Sequence, residues 1–195
     1  CTSVGCQSPD QSGHGSAGTI GATSDLNPSA GFKVADTFSP TTSGTVSNIC
    51  WWGFYLDFSG PTDCGISGPG TGDDFTIEYY ADDADGYSPG TLLGGPFNVI
   101  SSVAPTGDII GGNGLIEYKY SASHKPINVE AGQCYWISIY NNTTESCFWL
   151  WETAPGGDER SAQDNEGWNS NDYDMAFCVD IDISLDGCGA YTGAC

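Results

Sequence analysis

Two acidic stretches of the chain have side chains that hard metal ions bind. Residues 80–91, YADDADGYSPGT, place three carboxylates close together, at Asp82, Asp83 and Asp85. The second stretch, NSNDYD, has its oxygen-bearing side chains at Asn169, Asn171, Asp172 and Asp174. Ca²⁺ prefers carboxylate and amide oxygens as ligands. These stretches therefore predict a calcium site, which both would share if their loops meet at one end of the fold.

The first stretch also has the composition of a plain turn. Placing Gly86 at position 6 of an EF-hand loop puts Ala81 at position 1 and Leu92 at position 12, where carboxylates are required. Gly86, Pro89 and Gly90 are of the residue types that tight turns use. Two interpretations thus stay open, a calcium site unlike an EF-hand and an acidic turn without metal.

Catalysis has little support in the sequence. His14 and His124 are the only side chains with an ordinary pKa near neutrality, and neither lies in a recognised nucleophile motif. Pairs of carboxylates suited to glycoside hydrolysis occur by chance among 25 acidic residues. We therefore expect a protein that is not an enzyme.

The sequence predicts two kinds of glycan site, a surface that binds sugars and asparagines that are glycosylated. Trp51 and Tyr55 lie on the face of their strand opposite its predicted core face, where their rings would form a sugar-stacking platform. The alternative is that both faces of this strand are covered. The segment NNTT has overlapping N-x-[ST] sequons, so Asn141 and Asn142 are candidate glycosylation sites on a predicted turn.

The net charge of the chain excludes one class of partner. Four basic residues against 25 acidic ones give −21. Such a field repels phosphate backbones and anionic membranes, so we expect no nucleic-acid partner. The sequence also has no apolar run long enough to span a membrane.

The cysteines predict an oxidising compartment. Nine are present, at Cys1, Cys6, Cys50, Cys64, Cys134, Cys147, Cys178, Cys188 and Cys195. Their spacing does not fit zinc or iron–sulfur sites, which favours disulfides and secretion. The odd count leaves one cysteine that is free, bonded to a neighbouring molecule, or lipidated at Cys1. The start at Cys1, without Met or an apolar leader, is interpreted as a mature chain that has lost its signal peptide.

Period-two alternation predicts the strands that position these residues. The proposed inward faces are Cys50, Trp52, Phe54, Leu56 and Phe58; Phe75, Ile77 and Tyr79; and Met175, Phe177, Val179, Ile181 and Ile183. Further strands are predicted at 97–103, 114–120, 127–129, 133–140 and 146–152, with 133–152 forming a hairpin about a turn at 141–144. The 28 glycines and ten prolines disfavour long helices.

The predicted fold is all-β, an antiparallel two-sheet sandwich of jelly-roll type with many disulfides. Residues 1–31 are rich in Gly and Ser and are interpreted as an extended N-terminal arm. Residues 32–186 would form the sandwich. Residues 187–195 would form a cysteine-containing tail.

Four segments of the chain resemble a known type of module. They are VADTFSPTTSGTVSNICWWGFYLDF, DDFTIEYYADDADGYSPGTLL, VEAGQCYWISIYNNT and FWLWE. They are similar to the D-x-F, W-x-G-x-Y, I-Y-x-D-D…P-G, Y-W-I-S-I and W-x-W islands of a β-sandwich module of uncharacterised role in secreted bacterial surface proteins. The resemblance covers residues 35–183 and implies the fold and a D-D…P-G turn in the first acidic stretch. It implies no activity, and this chain departs from the module in its density of cysteines.

These observations favour a non-enzymatic extracellular structural protein. We expect a self-assembling subunit of a surface fibre or sheath, stabilised by disulfides and by calcium if the metal interpretation holds. The N-terminal arm would add a strand to a neighbouring subunit, so a chain without residues 1–30 would fold but not assemble. The alternative is a calcium-dependent carbohydrate-binding module or adhesin that uses Trp51, Tyr55 and the two acidic stretches.

Overall fold

The described chain is built from β-strands. The structure is a computed structural model that describes residues 5–9, 20–27, 31–58, 73–110, 114–142 and 147–183. Its strands are β1 (Cys6–Gln7), β2 (Gly21–Thr23), β3 (Lys33–Phe38), β4 (Gly44–Asp57), β5 (Phe75–Asp82), β6 (Pro89–Val99), β7 (Ser102–Ile110), β8 (Leu115–Val129), β9 (Tyr135–Tyr140), β10 (Cys147–Ala154), β11 (Ser161–Asp164), β12 (Trp168–Asn171), β13 (Asp174–Met175) and β14 (Phe177–Asp182). None of these residues form a helix of the length and apolarity that a membrane span requires.

Two antiparallel sheets pack against each other. In the first, β4 pairs with β8 on one side and with β14 and then β10 on the other. The short strands β1, β2 and β13 extend β14 and β10, and β7 pairs with β8. The second sheet has the order β12-β11-β3-β9-β5-β6. The predicted all-β two-sheet sandwich is confirmed.

Aromatic side chains fill the space between the sheets. The ring of Trp51 stacks on Tyr120 with centroids 5.5 Å apart, and Phe75 packs edge-on against Tyr120 and Trp149, at 4.9 Å from each. Such pairs contribute about 0.5–1.5 kcal/mol each beyond the burial of their area. The predicted inward face of β5 is confirmed from Phe75 to Tyr79, and that of the last predicted strand is confirmed from Met175 in β13 to Val179 in β14. Ile183, predicted at the end of this face, is exposed instead.

The predicted orientation of β4 is wrong. Trp51 and Tyr55 lie in the core between the sheets, whereas Trp52 and Phe54 lie on the outer face of the first sheet. That outer face is also buried, because Ala154 and Ala176 pack on Trp52 while Ile20, Ile110, Leu115 and Leu150 surround Phe54. Both faces of β4 are apolar, so alternation alone does not select the inward one.

The predicted hairpin over residues 133–152 is also wrong. β9 belongs to the second sheet, where it pairs with β3 and β5, and β10 belongs to the first sheet. The connection between them therefore crosses from one sheet to the other. The strands predicted at 114–120 and 127–129 are parts of one long strand, β8.

Two segments of the predicted arm belong to the sandwich. β1 pairs with β14, where Cys6 and Cys178 form a disulfide, and β2 pairs with β10. After β2, the Ser24 hydroxyl donates to the carbonyl of Ile139 at 2.6 Å and accepts from the amide of Val34 at 2.9 Å. Residues 20–27 thus bridge the two sheets. The other arm residues and the tail predicted at 187–195 lie outside the described residues.

Candidate functional site

The first acidic stretch forms a turn between β5 and β6. The Asp83 carboxylate accepts hydrogen bonds from the Tyr87 amide at 3.0 Å and from the Ser88 hydroxyl at 2.7 Å. The bond from Ser88 lowers the pKa of this exposed carboxyl. Gly86 has a φ of 72°, which favours glycine. Asp83 therefore organises the turn itself, as the plain-turn interpretation expects.

The Asp82 carboxylate contacts the side chains of Trp136 and Arg160. Its Oδ1 accepts from Trp136 Nε1 at 2.7 Å and from Arg160 Nη2 at 3.4 Å. The Arg160 guanidinium also lies 5.7 Å from the centre of the Trp136 ring. Within the described ranges, Asp82, Asp83 and Asp85 do not form a group with metal-ligand spacing.

The second acidic stretch does approach the first. Residues from both loops line a cleft of about 360 Å³: Tyr87, Glu159, Arg160, Ser161, Ser170, Asn171 and Asp172. Asn169 donates instead to the carbonyl of Gly167 at 2.8 Å. The expected convergence of the two loops is therefore present, with the guanidinium of Arg160 between them.

Three carboxylates from distant parts of the sequence meet beside this cleft. One oxygen each of Asp36 in β3, Asp158 in the β10–β11 loop and Asp174 in β13 all lie within 4.8 Å of one another. The Asp36 oxygens accept from the amides of Thr37 and Met175, each at 2.6 Å. Asp174 Oδ1 accepts from the amides of Asp158 at 3.1 Å and Glu159 at 3.0 Å. We call these three residues the carboxylate cluster.

Burial makes negative charge in this cluster costly. Desolvation raises the pKa of Asp36 well above its ordinary value, and the charges of Asp174 and Asp158 raise it further. Desolvation also raises the pKa of Asp174, against the lowering effect of its backbone hydrogen bonds. Among the described residues, the basic side chain that contacts the cluster is Arg160, whose Nη1 lies 3.8 Å from Asp158. Cluster and guanidinium together have a formal charge of −2.

One member of the carboxylate cluster was predicted from the sequence, and the other two were not. Asp174 was among the predicted calcium ligands, while Asn171 and Asp172 line the adjacent cleft. Asp36 had a usable signal, because it occupies the inward position between Val34 and Phe38 in the strand KVADTF. Asp158 lies in a loop, where no alternation of apolar residues indicates which way a side chain points.

The predicted glycan contacts are mostly excluded by burial. Trp51 and Tyr55 are core residues, so the sugar-stacking platform is wrong. The Asn141 side chain is buried and donates to the Tyr55 hydroxyl at 3.2 Å, while its Oδ1 accepts from the Asp74 amide at 2.8 Å. An acceptor held in this way is inaccessible in the folded protein. Asn142 is exposed and stays a predicted site.

The His124 ring is held in place by contacts within the fold. Its ring stacks on Phe97 with centroids 4.9 Å apart, and its Nε2 lies 2.8 Å from the Tyr79 hydroxyl. Its Nδ1 lies 2.9 Å from the carbonyl of Lys125. Burial lowers the pKa of His124, so the neutral ring is favoured. His14 lies outside the described residues.

Several cysteines are bonded, as predicted. Besides the Cys6–Cys178 bridge, Cys50, Cys134 and Cys147 are in disulfides. The other four cysteines, Cys1, Cys64, Cys188 and Cys195, lie outside the described residues. The expectation of one cysteine that is free, bonded to a neighbouring molecule or lipidated at Cys1 stays a prediction.

One side of the sandwich has almost no net charge. Residues 89–129, which we call the charge-poor flank, contain β6, β7 and β8 with the acids Asp108 and Glu117 and the bases Lys119 and Lys125. The net charge of −21 therefore comes entirely from the rest of the chain. Among the described strands, β6 ends the second sheet and β7 pairs only with β8, so each has one edge that no described strand pairs with.

Exposed apolar side chains concentrate on the same flank. Of the eight large hydrophobic residues that are exposed in the described part of the chain, the flank contains five: Leu92, Leu93, Ile100, Ile109 and Ile116. Ile100 is 98% exposed and Ile109 is 68% exposed. A groove of about 960 Å³ between β6 and β8 is lined by the apolar Leu93, Phe97 and Ile127 and by the charged Asp82, Lys125 and Glu130. A surface with exposed apolar side chains, little net charge and two strand edges is typical of an interaction site.

Comparison with known proteins places the chain in a family without an assigned role. A model described as a domain of unknown function, DUF7901, matches residues 7–182. The chain belongs to this family, and the match runs from Gln7 in β1 to the end of β14, including β2. This match is consistent with the resemblance to an uncharacterised module. No curated protein and no solved structure gives a match.

Proposed function

We propose that the protein is a non-enzymatic structural subunit of the cell exterior that assembles with copies of itself through the charge-poor flank. The supporting observation is that exposed apolar residues, unpaired strand edges and charge neutrality coincide on residues 89–129. The disulfides and the bacterial surface module that the sequence resembles favour the extracellular setting.

Electrostatics favours a second copy as the partner on this flank. Two chains of charge −21 repel each other wherever their acidic surfaces approach. Across the flank, two acids and two lysines balance, and Glu117 is buried. The flank is therefore a surface on which like copies can meet without strong repulsion.

The flank supplies both apolar area and backbone hydrogen-bonding groups. Full burial of a Leu or Ile side chain contributes about 1.5–3 kcal/mol, and Ile100 is almost fully exposed in the single chain. Unpaired edges accept an added strand. Pro96 in β6 and Pro105 in β7 lack a donor, which restricts such pairing to short segments and so to few registers.

This mechanism replaces the one expected from the arm. The segments at residues 5–9 and 20–27 pair with strands of their own chain, so they are not available to a neighbour. Deletion of residues 1–30 would remove buried contacts as well as any assembly contact. The carbohydrate-binding alternative loses its two named aromatic residues to the core.

The proposal is tested with a charged residue placed on the flank. Ile100→Asp should weaken self-association about tenfold or more, because an apolar contact is lost and each copy gains a like charge. Ile183→Asp is the matched control, since Ile183 is 49% exposed outside the flank. Sedimentation and electron microscopy of the purified proteins would compare them.

Salt provides a second measurement. Wild-type association should strengthen from about 0.1 M to 1 M NaCl, because the Debye length falls from about 10 Å to 3 Å and repulsion between acidic surfaces is screened. The proposal is refuted if the wild type stays monomeric at every salt concentration. It is equally refuted if Ile100→Asp and Ile183→Asp associate alike.

A further inference from the structure

We propose that the carboxylates of Asp36, Asp158 and Asp174, together with the hydroxyl of Ser161, bind one hard divalent cation of the size of Ca²⁺. This site differs from the calcium site predicted from the sequence, with which it shares only Asp174. It contains no residue of the acidic turn. The inference is independent of self-association through the flank.

The three carboxylates are placed by the fold and not by a flexible loop. Asp36 projects from the middle of β3, and Asp174 begins the short strand β13, which pairs with β10. Asp158 is held between them, because the Thr37 hydroxyl donates to its carboxylate at 3.0 Å. Gly157 lies against Asp174, where an added Cβ would stand 2.3 Å from the carboxylate carbon. The oxygens therefore stay close together without a rearrangement of the backbone.

A buried serine gives an independent indication of a ligand. Ser161 is fully buried, and its hydroxyl has no hydrogen-bond partner. In β11 it lies directly opposite Asp36 of β3, so the two side chains share one face of the sheet about 5 Å apart at their Cβ atoms. A buried hydroxyl without a partner destabilises the folded state. Coordination to a cation held by Asp36 would satisfy it.

Among the described residues, the positive charge beside the cluster is smaller than the negative charge of its three carboxylates. Arg160 is the basic residue that contacts it, at 3.8 Å from Asp158, and the same guanidinium also contacts Asp82 at 3.4 Å. Three carboxylates and one guanidinium leave a charge of −2. One divalent cation would neutralise this charge. Each carboxylate oxygen has two lone pairs, so the backbone hydrogen bonds to Asp36 and Asp174 do not prevent coordination.

The composition of the set favours calcium over magnesium. The carboxylate oxygens lie within 4.8 Å of one another, and ligands at 2.3–2.6 Å from Ca²⁺ can lie up to about 4.6–5.2 Å apart. Mg²⁺ usually keeps several waters and is bound through one or two carboxylates, whereas this set offers three. Carboxylates with a hydroxyl form an all-oxygen set, which suits either ion and disfavours softer metals.

The test uses the full chain after removal of metals with a chelator. Calorimetric titration with CaCl₂ and with MgCl₂ should show one calcium ion per chain, bound more tightly than magnesium, and calcium should raise the thermal midpoint. Asp158→Asn should weaken calcium binding about tenfold or more. Ser161→Ala should weaken it less and should fold even if Asp158→Asn does not, which near-ultraviolet circular dichroism would show.

Asp85→Asn is the matched control, because it removes the same charge from an exposed position in the acidic turn. It should bind calcium as the wild type does. The proposal is overturned if the wild type binds neither ion at about 10 mM, well above the weakest affinities of extracellular calcium modules. It is also overturned if Asp85→Asn, and neither cluster variant, loses binding. None of these outcomes depends on the association measured with the flank variants.

Discussion

Removal of one buried hydroxyl should show that the N-terminal segment is part of the folded domain. Ser24 precedes the predicted start of the sandwich, yet it is fully buried between the sheets. Its hydroxyl accepts from the Val34 amide at 2.9 Å and donates to the Ile139 carbonyl at 2.6 Å. Ser24→Ala removes both bonds while adding no volume.

The expected loss of stability follows from the two backbone groups that lose a hydrogen-bond partner, the Val34 amide and the Ile139 carbonyl. Val34 and Ile139 are themselves fully buried, so water cannot replace the hydroxyl. An unsatisfied buried donor or acceptor costs about 1–3 kcal/mol, and the carbonyl in β9 suffers less because it has a second lone pair. We expect Ser24→Ala to lower the free energy of unfolding by about 2–4 kcal/mol. For a domain of this size, the thermal midpoint would fall by about 4–16 °C.

Guanidinium unfolding followed by tryptophan fluorescence measures this loss. Ser43→Ala is the matched control, because the Ser43 hydroxyl also accepts from a backbone amide, that of Ala131 at 2.9 Å, but is exposed. Water replaces it there, so the control should change stability by less than about 0.5 kcal/mol. If Ser24→Ala were as mild as Ser43→Ala, residues 20–27 would not be an integral part of the sandwich.

Two further measurements test the energetics of the flank strands. Glu117→Met should stabilise the protein by about 1–3 kcal/mol, because the Glu117 carboxylate is buried with no hydrogen-bond partner, whereas the exposed control Glu130→Met should be neutral. A loss of stability in Glu117→Met would contradict this. The wild type should lose stability relative to His124→Asn as the pH falls below 6.5, because burial lowers the folded-state pKa of His124 and the unfolded chain takes up the proton first. Denaturant midpoints between about pH 5 and 7.5 measure this difference, and parallel pH profiles would refute it.

Local patterns predicted the strands better than their arrangement. The run from Phe75 to Tyr79 alternates with Thr76 and Glu78, and the run from Met175 to Ile181 has its large side chains on one face and Asp180 on the other, so their orientation follows from alternation. β4 has Trp51 on one face and Trp52 on the other, and only the tertiary packing decides between them. Asn and Thr at 141–144 suit a hairpin turn or a crossing between sheets equally well, so they could not reveal that β9 and β10 are in different sheets.

The functional regions depend on contacts that are distant in the sequence. Asp36 and Asp158 are more than 100 residues apart, so no spacing rule connects them. The Gly/Ser composition of the arm indicated low intrinsic structure, and the partners of Ser24 lie in strands that follow much later. The charge-poor flank was visible in the sequence as a long interval with few acids. Its exposed apolar side chains required the positions of the strand edges.

The bridge between Cys6 in β1 and Cys178 in β14 also determines how the molecule bears mechanical load. Tension applied along the backbone from a point before Cys6 to a point after Cys178 passes through the sulfur atoms, and the 172-residue separation between them is bypassed. The sandwich would not be pulled apart by such a force while the bond is intact. In a fibre of such chains under tension, the contacts between molecules would break before the sandwich unfolds.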